Sequence, residues 1–372
     1  MKKIFGFNSN FDFVSRVKRT ASFPAWDSAD AFDWSLISAA YQSNVSSSVV
    51  NTVDSFGSVS GASKYFGAVT APSGNVYCIP SSASSILKID TSTDTLTTFG
   101  SVGTGGNKWA GGVLAQNGKI YCIPSNSASV LVIDPSNDTT YTFGSLGTGT
   151  TKWIGGTLIP NGKIYCSPAN SSPILVIDTT NDTVSTFGST GALGTKWAGA
   201  IRAPNGSVYC MPFNSSVVLK IDPSTNTFST FGSFTLNLGN FYGGGLANNG
   251  KIYATMWNRT QAAIIDTDTD TITNSTTATG SSKWTGGARL SINERVYFSP
   301  FERADALTIN TDTDAILGIG SFGGSQRYIG SAVAPNGKVY FAPFNTSTVG
   351  RVVTTNHSID INFCLNPHFN IL

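Results

Sequence analysis

The stretch NGKIYCIPSNSASVLVIDPSNDTTYTFGS at residues 117–145 returns as NGKIYCSPANSSPILVIDTTNDTVSTFGS at 161–189, forty-four residues later. A period of that length commits a chain to a repeat architecture, because one unit cannot bury its apolar face without its neighbours. Two anchors count the units. A tyrosine follows a β-branched residue at Tyr77, Tyr121, Tyr165, Tyr209, Tyr253, Tyr297 and Tyr340, at spacings of 44, 44, 44, 44, 44 and 43. A basic-aromatic-x-Gly tetrad begins at Lys64, Lys108, Lys152, Lys196, Lys283 and Arg327, with NFYG at Asn240 in the remaining place. Both anchors give seven.

Each unit reads as four short strands. The first follows the tetrad and ends at an Asn-Gly pair such as Asn117-Gly118 or Asn161-Gly162, read as a two-residue hairpin turn. The second is KIYCIP, the third SVLVID and the fourth TYTFG; an Asp-rich turn such as DPSND joins the last two. Four strands in about 44 residues, with no 3.6-residue periodicity, predict an all-β fold: a seven-bladed β-propeller of four-stranded blades.

The repeat sentence resembles the YVTN-type propeller repeats of surface-layer proteins, which are close to NHL-type blades. The resemblance covers about residues 50–355 and implies the blade; Cys-Ile-Pro stands here where that family has Val-Ala-Asn. Candidates for the fourth strand number eight, one too many. The stretch at 52–64 matches 95–108, so a strand at 52–56 is expected to close the seventh blade and cover its edge. The expected domains are an N-terminal segment at 1–50, the propeller at 51–355 and a tail at 356–372 that packs on or completes the last blade.

Composition narrows the chemistry. The 372 residues carry a formal net charge of +2 and only 12% charged side chains, which argues against nucleic-acid binding. No apolar run is long enough to span a membrane, and the N-terminal lysines precede a stretch broken by Asn8, Asn10 and Asp12, so no secretory signal peptide is expected. Cys78, Cys122, Cys166 and Cys210 hold one repeat position, read as small buried core residues rather than a metal or redox site. The only histidines are His357 and His368, and the only glutamates Glu294 and Glu302, so neither a histidine triad nor a histidine-ligated metal fits inside the repeats. Asp266, Asp268 and Asp270, echoed by Asp312 and Asp314, have the opening spacing of a calcium loop but lack its glycine and distal glutamate. Turn capping explains them at lower cost. No enzyme activity, cofactor or metal is expected.

Propeller topology puts the loops from the fourth strand to the next first strand, and from the second to the third, on one face. Lys64, Lys108, Lys152, Lys196, Lys283 and Arg327 should ring it, with Trp109, Trp153, Trp197 and Trp284 beside them and Asn126, Asn170, Asn214, Asn258 and Asn345 on the adjoining loops. Two readings stand. These residues make an anion or glycan platform, or each tryptophan fills a seam between blades under its lysine stem. Residues 1–50 are rich in rings; Phe5, Phe7, Phe11, Phe13, Trp26 and Trp34 are candidate docking residues, and 28–42 reads as a short helix. The expected function is a structural or adhesive component of a larger assembly, in style like a phage or virus virion or tail protein, on a virion or extracellular surface. Its expected partners are other subunits, bound through 1–50, and a cell-surface glycan. The alternative is a free-standing propeller that binds glycan or peptide on its Lys/Trp/Asn face.

Overall fold

The computed structural model describes residues 50–191, 194–235, 239–277, 283–290 and 295–355. These form seven four-stranded antiparallel sheets, each ordered a-b-c-d from the axis outward. Blade 1 runs from Tyr65–Thr70 to Thr95–Phe99, blade 2 from Trp109–Leu114 to Thr139–Phe143, and blade 3 from Trp153–Leu158 to Thr183–Phe187. Blade 4 runs from Trp197–Arg202 to Thr227–Phe231, blade 5 from Phe241–Leu246 to Thr271–Thr277, and blade 6 from Trp284–Leu290 to Ile316–Ile319. Blade 7 takes a, b and c from Tyr328–Val333, Val339–Pro343 and Val349–Thr355, and its d strand is Val50–Phe56. No helix among the described residues is long and apolar enough to cross a membrane. The docking candidates Phe5, Phe7, Phe11, Phe13, Trp26 and Trp34, the 28–42 segment and the 356–372 tail lie outside the described residues.

The eighth d-strand sequence thus closes the ring. Val50 pairs with Thr355 and Phe56 with Val349, and Arg351 clamps the joint. Its guanidinium bonds Asp54 on the closing strand (2.5 and 2.8 Å) and Asp94 of blade 1, and lies 4.8 Å from the Phe56 ring. Those two carboxylates hold the Arg351 guanidinium even more firmly protonated than usual.

The glycine of each tetrad sets the diameter of the axis. Gly67, Gly111, Gly155, Gly199, Gly243, Gly286 and Gly330 all have positive φ, beside a bulge in each a strand. A Cβ added to any one would meet the Cα of the next at 2.6–3.5 Å, and Gly330 meets Gly67, so the ring is continuous. Side chains this close to the axis would clash with backbone that has nowhere to move.

Outside this ring, each seam between blades is filled by the same set of positions. The seam between blades 2 and 3 holds Tyr121, Ile123, Val130 and Val132 of one sheet against Trp153, Ile164, Cys166 and Leu175 of the next. The aromatic residue of the tetrad, from Tyr65 to Tyr328, plugs every seam and is at most 4% exposed.

One turn departs from expectation. Gly118 donates to Ala115 O and Ala115 to Lys119 O, and only Gly118 in the connection has positive φ. The a–b connection is therefore a three-residue loop ending in a left-handed glycine, not the two-residue turn that Asn-Gly suggests.

Replacing Gly199 by alanine should destabilise the protein by about 2–4 kcal/mol, from left-handed strain plus a contact with Gly243 that cannot relax. Gly206→Ala, also at positive φ but with open space around it, should cost only about 1 kcal/mol. Denaturant midpoints of the two variants measure the difference; equal losses would dissolve the ring's special status.

Candidate functional site

The seven repeated tyrosines form a belt on the face of the a–b and c–d turns. Each hydroxyl donates to the next blade: Tyr77 to Asp138 (2.8 Å), Tyr121 to Asp182 (2.7 Å), Tyr165 to Asn226 (2.6 Å) and Tyr209 to Asp270 (2.7 Å). Tyr253 donates to Asp314 (2.6 Å), Tyr297 to Asn51 (3.2 Å) and Tyr340 to Asp94 (2.9 Å), which closes the belt. Six of these acceptors sit at left-handed φ, a conformation Asp and Asn tolerate better than most residues. Asn117, Asn205, Asn249 and Asn336 of the Asn-Gly pairs add a second tie, as in Asn117 Nδ2 to Thr179 O (3.0 Å) and Asn336 Nδ2 to Thr91 O (2.7 Å).

The repeated aspartates therefore divide into two tasks. Asp90, Asp134, Asp178, Asp222 and Asp266 cap their own turns, accepting backbone N–H bonds two residues on. Asp94, Asp138, Asp182, Asp270 and Asp314 take a tyrosine from the blade before. Of the calcium-like cluster, Asp266 caps Asp268 and Thr269, while Asp270 is engaged by Tyr209 and by Lys220 at 2.6 Å. Among the described residues no three His, Cys, Asp or Glu side chains converge on a point. Cys78, Cys122, Cys166 and Cys210 are buried free thiols, and burial pushes Cys210 up to about 12, which leaves it protonated and unreactive.

On the opposite face the blades are joined by a ring of backbone bonds. Lys64, Lys108, Lys152, Lys196, Asn240, Lys283 and Arg327 each donate N–H to the carbonyl just after strand b of the preceding blade, at 2.7–3.3 Å. The lysine side chains reinforce this ring. Lys64 Nζ donates to Gly61 O and Thr346 O (both 2.7 Å), Lys108 Nζ to Ala83 O (2.8 Å) and Lys152 Nζ to Ser127 O (2.8 Å). Lys196 and Lys283 bond Gly191 O and Arg259 O. Lys64, Lys108, Lys152 and Lys283 are buried, and burial lowers the pKa of all five lysines. Arg327 has a buried Nε without a partner among the described residues.

Trp109, Trp153, Trp197 and Trp284 are 2–4% exposed, and each indole N–H donates to the carbonyl at the end of its own b–c loop. The ammonium groups of Lys108, Lys152 and Lys196 lie 5.5–5.9 Å from the rings that follow them. The asparagines bind the next blade as well. Asn126 Oδ1 accepts from Thr151 N (2.7 Å), Asn170 from Thr195 N (2.5 Å), Asn214 from Gly239 N (2.8 Å) and Asn345 from Ser63 N (2.7 Å). Asn258 N donates to Gly239 O. The tryptophans thus fill the seams with their lysines bonded alongside, and the asparagines hold loop backbone.

The departures from repetition are more informative. The position just after strand b is Ser81, Ser125 and Ala169 in blades 1–3, but Phe213, Trp257, Phe301 and Phe344 in blades 4–7. These four rings form an arc at the mouth of the axis, with centroids 6.0 Å apart between Phe213 and Trp257, 4.9 Å between Trp257 and Phe301, and 6.0 Å between Phe301 and Phe344. Tyr242 of blade 5 stacks 4.9 Å from Trp257 and reaches Phe66 of blade 1 at 5.8 Å, over a floor of Ala110, Ile154, Ala169 and Ala198. Desolvation pushes the Tyr242 phenol well above the ordinary range. Phe66, Phe213, Tyr242, Trp257 and Phe344 all remain partly exposed. Within the single sequence, the switch from Ser-Ser-Ala to four aromatics at one repeat position is the signal that marks this arc.

Neither a protein-family model nor a curated protein sequence matches the chain. Solved structures share its fold. A streptogramin B lyase superposes with a TM-score of 0.68 over 82% of this chain and 98% of its own, at 16% identity. Virginiamycin B lyase from Staphylococcus aureus gives 0.71 over 82% and 99%, at 14% identity, and is also known as a catalytically inactive histidine-to-alanine form with quinupristin. The RRP9 WD40 repeats give 0.63 over 82% and 100%, at 9% identity.

At these identities the likeness shows the seven-bladed fold alone. It also corrects one expectation. Residue inventory led to a protein without enzyme activity, yet a lyase is built on this scaffold. Loops carry a propeller's chemistry, so neither the fold nor a count of histidines excludes catalysis. His357 and His368 lie outside the described residues.

The tyrosine belt makes stability depend on alkaline pH. Burial is the main cause that raises the Tyr340 phenol from 10.0 to about 12; the Asn336 bond opposes it and the Asp94 bond adds to it. The folded protein thus keeps a proton that the unfolded chain releases. This contribution is complete below pH 10.0 and is lost as pH rises towards about 12. Tyr340→Phe should cost about 1 kcal/mol at neutral pH and make the alkaline fall shallower, as followed by denaturant unfolding across pH. An unchanged alkaline slope would remove Tyr340 from the account.

Proposed function

We propose that the protein is a rigid interaction platform within a larger assembly, on a particle or extracellular surface, and that it engages its partner through the axial aromatic arc. The observation that carries this reading is the break in repetition at Phe213, Trp257, Phe301 and Phe344. A residue needed only to close the ring recurs in every blade; these four do not, and they cluster where seven loops converge. Aromatic groups that are partly exposed and pre-packed supply contact area at small entropic cost, the usual make-up of a binding hot spot.

The path of the chain supports the division of labour. Val50 and Thr355 are paired at the c–d turn end of blade 7, so the described chain begins and ends on the face opposite the arc. Recognition through the arc then uses the face away from these two ends of the described chain.

Light scattering on the full chain and on a form beginning at Val49 tests the assembly reading. Self-association of the full chain, with a folded monomer for the shorter form, is the expected result; two monomers would favour a free-standing binding module. The arc is tested by Trp257→Ser and Phe344→Ser, which install the residue of blades 1 and 2. Both variants should keep the β circular-dichroism spectrum and lose the fluorescence enhancement of an apolar dye. Retained dye binding would show that the arc is not the accessible apolar surface.

A further inference from the structure

Away from the axis, the same loop face carries a cleft of about 870 Å³ over the b–c loop of blade 3, between the loops that enter and leave that blade. Its rim is hydroxylic: Ser145, Thr148, Thr150, Ser171, Thr186 and Thr195. Asn170 and Asn214 add amides, and Leu146, Trp153 and Pro173 contribute apolar surface. Among the described residues of the lining the one charged side chain is Lys152, whose ammonium is already bonded to Ser127 O.

A single substitution in the repeat distinguishes this blade. The residue that follows Phe-Gly-Ser at the end of strand d, or Ile-Gly-Ser in blade 6, is Val59, Val102, Leu146, Phe234 or Phe322 in five blades, and each packs into a hydrophobic seam. After blade 3 it is Thr190. Its N–H and hydroxyl both bond Ser172 O (3.0 and 2.6 Å), and among the described residues of that loop no apolar side chain joins the seam cluster. Ser172 in turn lies 3.1 Å from Ser189 between their hydroxyls. The counterparts make the same N–H bond, as Val102 does to Ser84 O and Leu146 to Ala128 O, so what Thr190 changes is the side chain: a hydroxyl bond in place of an apolar wedge.

From this lining we infer that the cleft binds a neutral oligosaccharide. Sugar hydroxyls both donate and accept, as do serine and threonine hydroxyls and asparagine amides, and the apolar face of a pyranose ring needs a surface such as Leu146 and Pro173. Fixed charge is absent from the rim, which disfavours anionic sugars and acidic peptides. The site is separate from the axial arc and does not depend on the proposal made for it.

Calorimetric titration with glucose, mannose and N-acetylglucosamine hexasaccharides, and with a sialylated oligosaccharide as the anionic member, tests the inference. At least one neutral sugar should bind, with an affinity that changes less than twofold between about 50 mM and about 500 mM sodium chloride. Thr186→Trp, at an exposed position on the outer strand, should fill the cleft and weaken binding at least tenfold. Thr142→Trp, the same repeat position in blade 2, should leave it unchanged, as should Trp257→Ser in the arc. Failure of every neutral sugar to bind, binding of the sialylated sugar alone, or equal losses in Thr186→Trp and Thr142→Trp would overturn the inference.

Discussion

Seven backbones meet at one axis, and the approach of Gly67 to Gly111, and so on around to Gly330 against Gly67, is the contact on which the rest depends. A sheet can be a blade only if its inner strand narrows enough for six others to share the centre. Glycine at positive φ permits that, and the bulge beside it turns each a strand through the constriction. Further out the sheets diverge, and the gap widens until it takes a whole indole or phenol. Hence glycine lies at the axis and the tetrad aromatic two residues before it in the seam.

A closed ring must also resist opening, and here the polar repeats are spent. Tyrosine to aspartate on one face, and lysine and asparagine to backbone on the other, tie each blade to the next. Buried ammonium groups are tolerated because loop carbonyls accept their hydrogen bonds. Within blade 7, where strands c and d are not joined by a turn, Arg351 of strand c in addition holds Asp54 of strand d, and it reaches Asp94 of blade 1 as well. The aromatic arc escapes these duties, whereas the cleft of blade 3 shares Lys152, Trp153 and Asn170 with them.

Much of the scaffold is legible in one sequence because it is written seven times. Strand number, blade number and a closing strand at 52–56, which the structure extends back to Val50, follow from counting. The roles of individual polar residues do not, because their partners are distant in the chain. The aspartates looked like turn caps, and half of them are; the other half wait for a tyrosine 61 residues earlier, an interval visible only once blades are known to be neighbours. Asn117-Gly118 looked like a two-residue hairpin, but its asparagine side chain reaches Thr179 and only the glycine turns left-handed.

What the sequence determined by itself is the fold: a period near 44, strand-length apolar runs and a glycine in every tetrad admit only a closed ring of blades. What tertiary structure alone decided is which repeated residues remain available. Lys152 and Trp153 have the same chemistry whether they face solvent or a seam, and only the packing of adjacent sheets puts them into the seam. Likewise Phe213, Trp257, Phe301 and Phe344 are spread over 132 residues and become one surface because the ring brings four loops to a common axis.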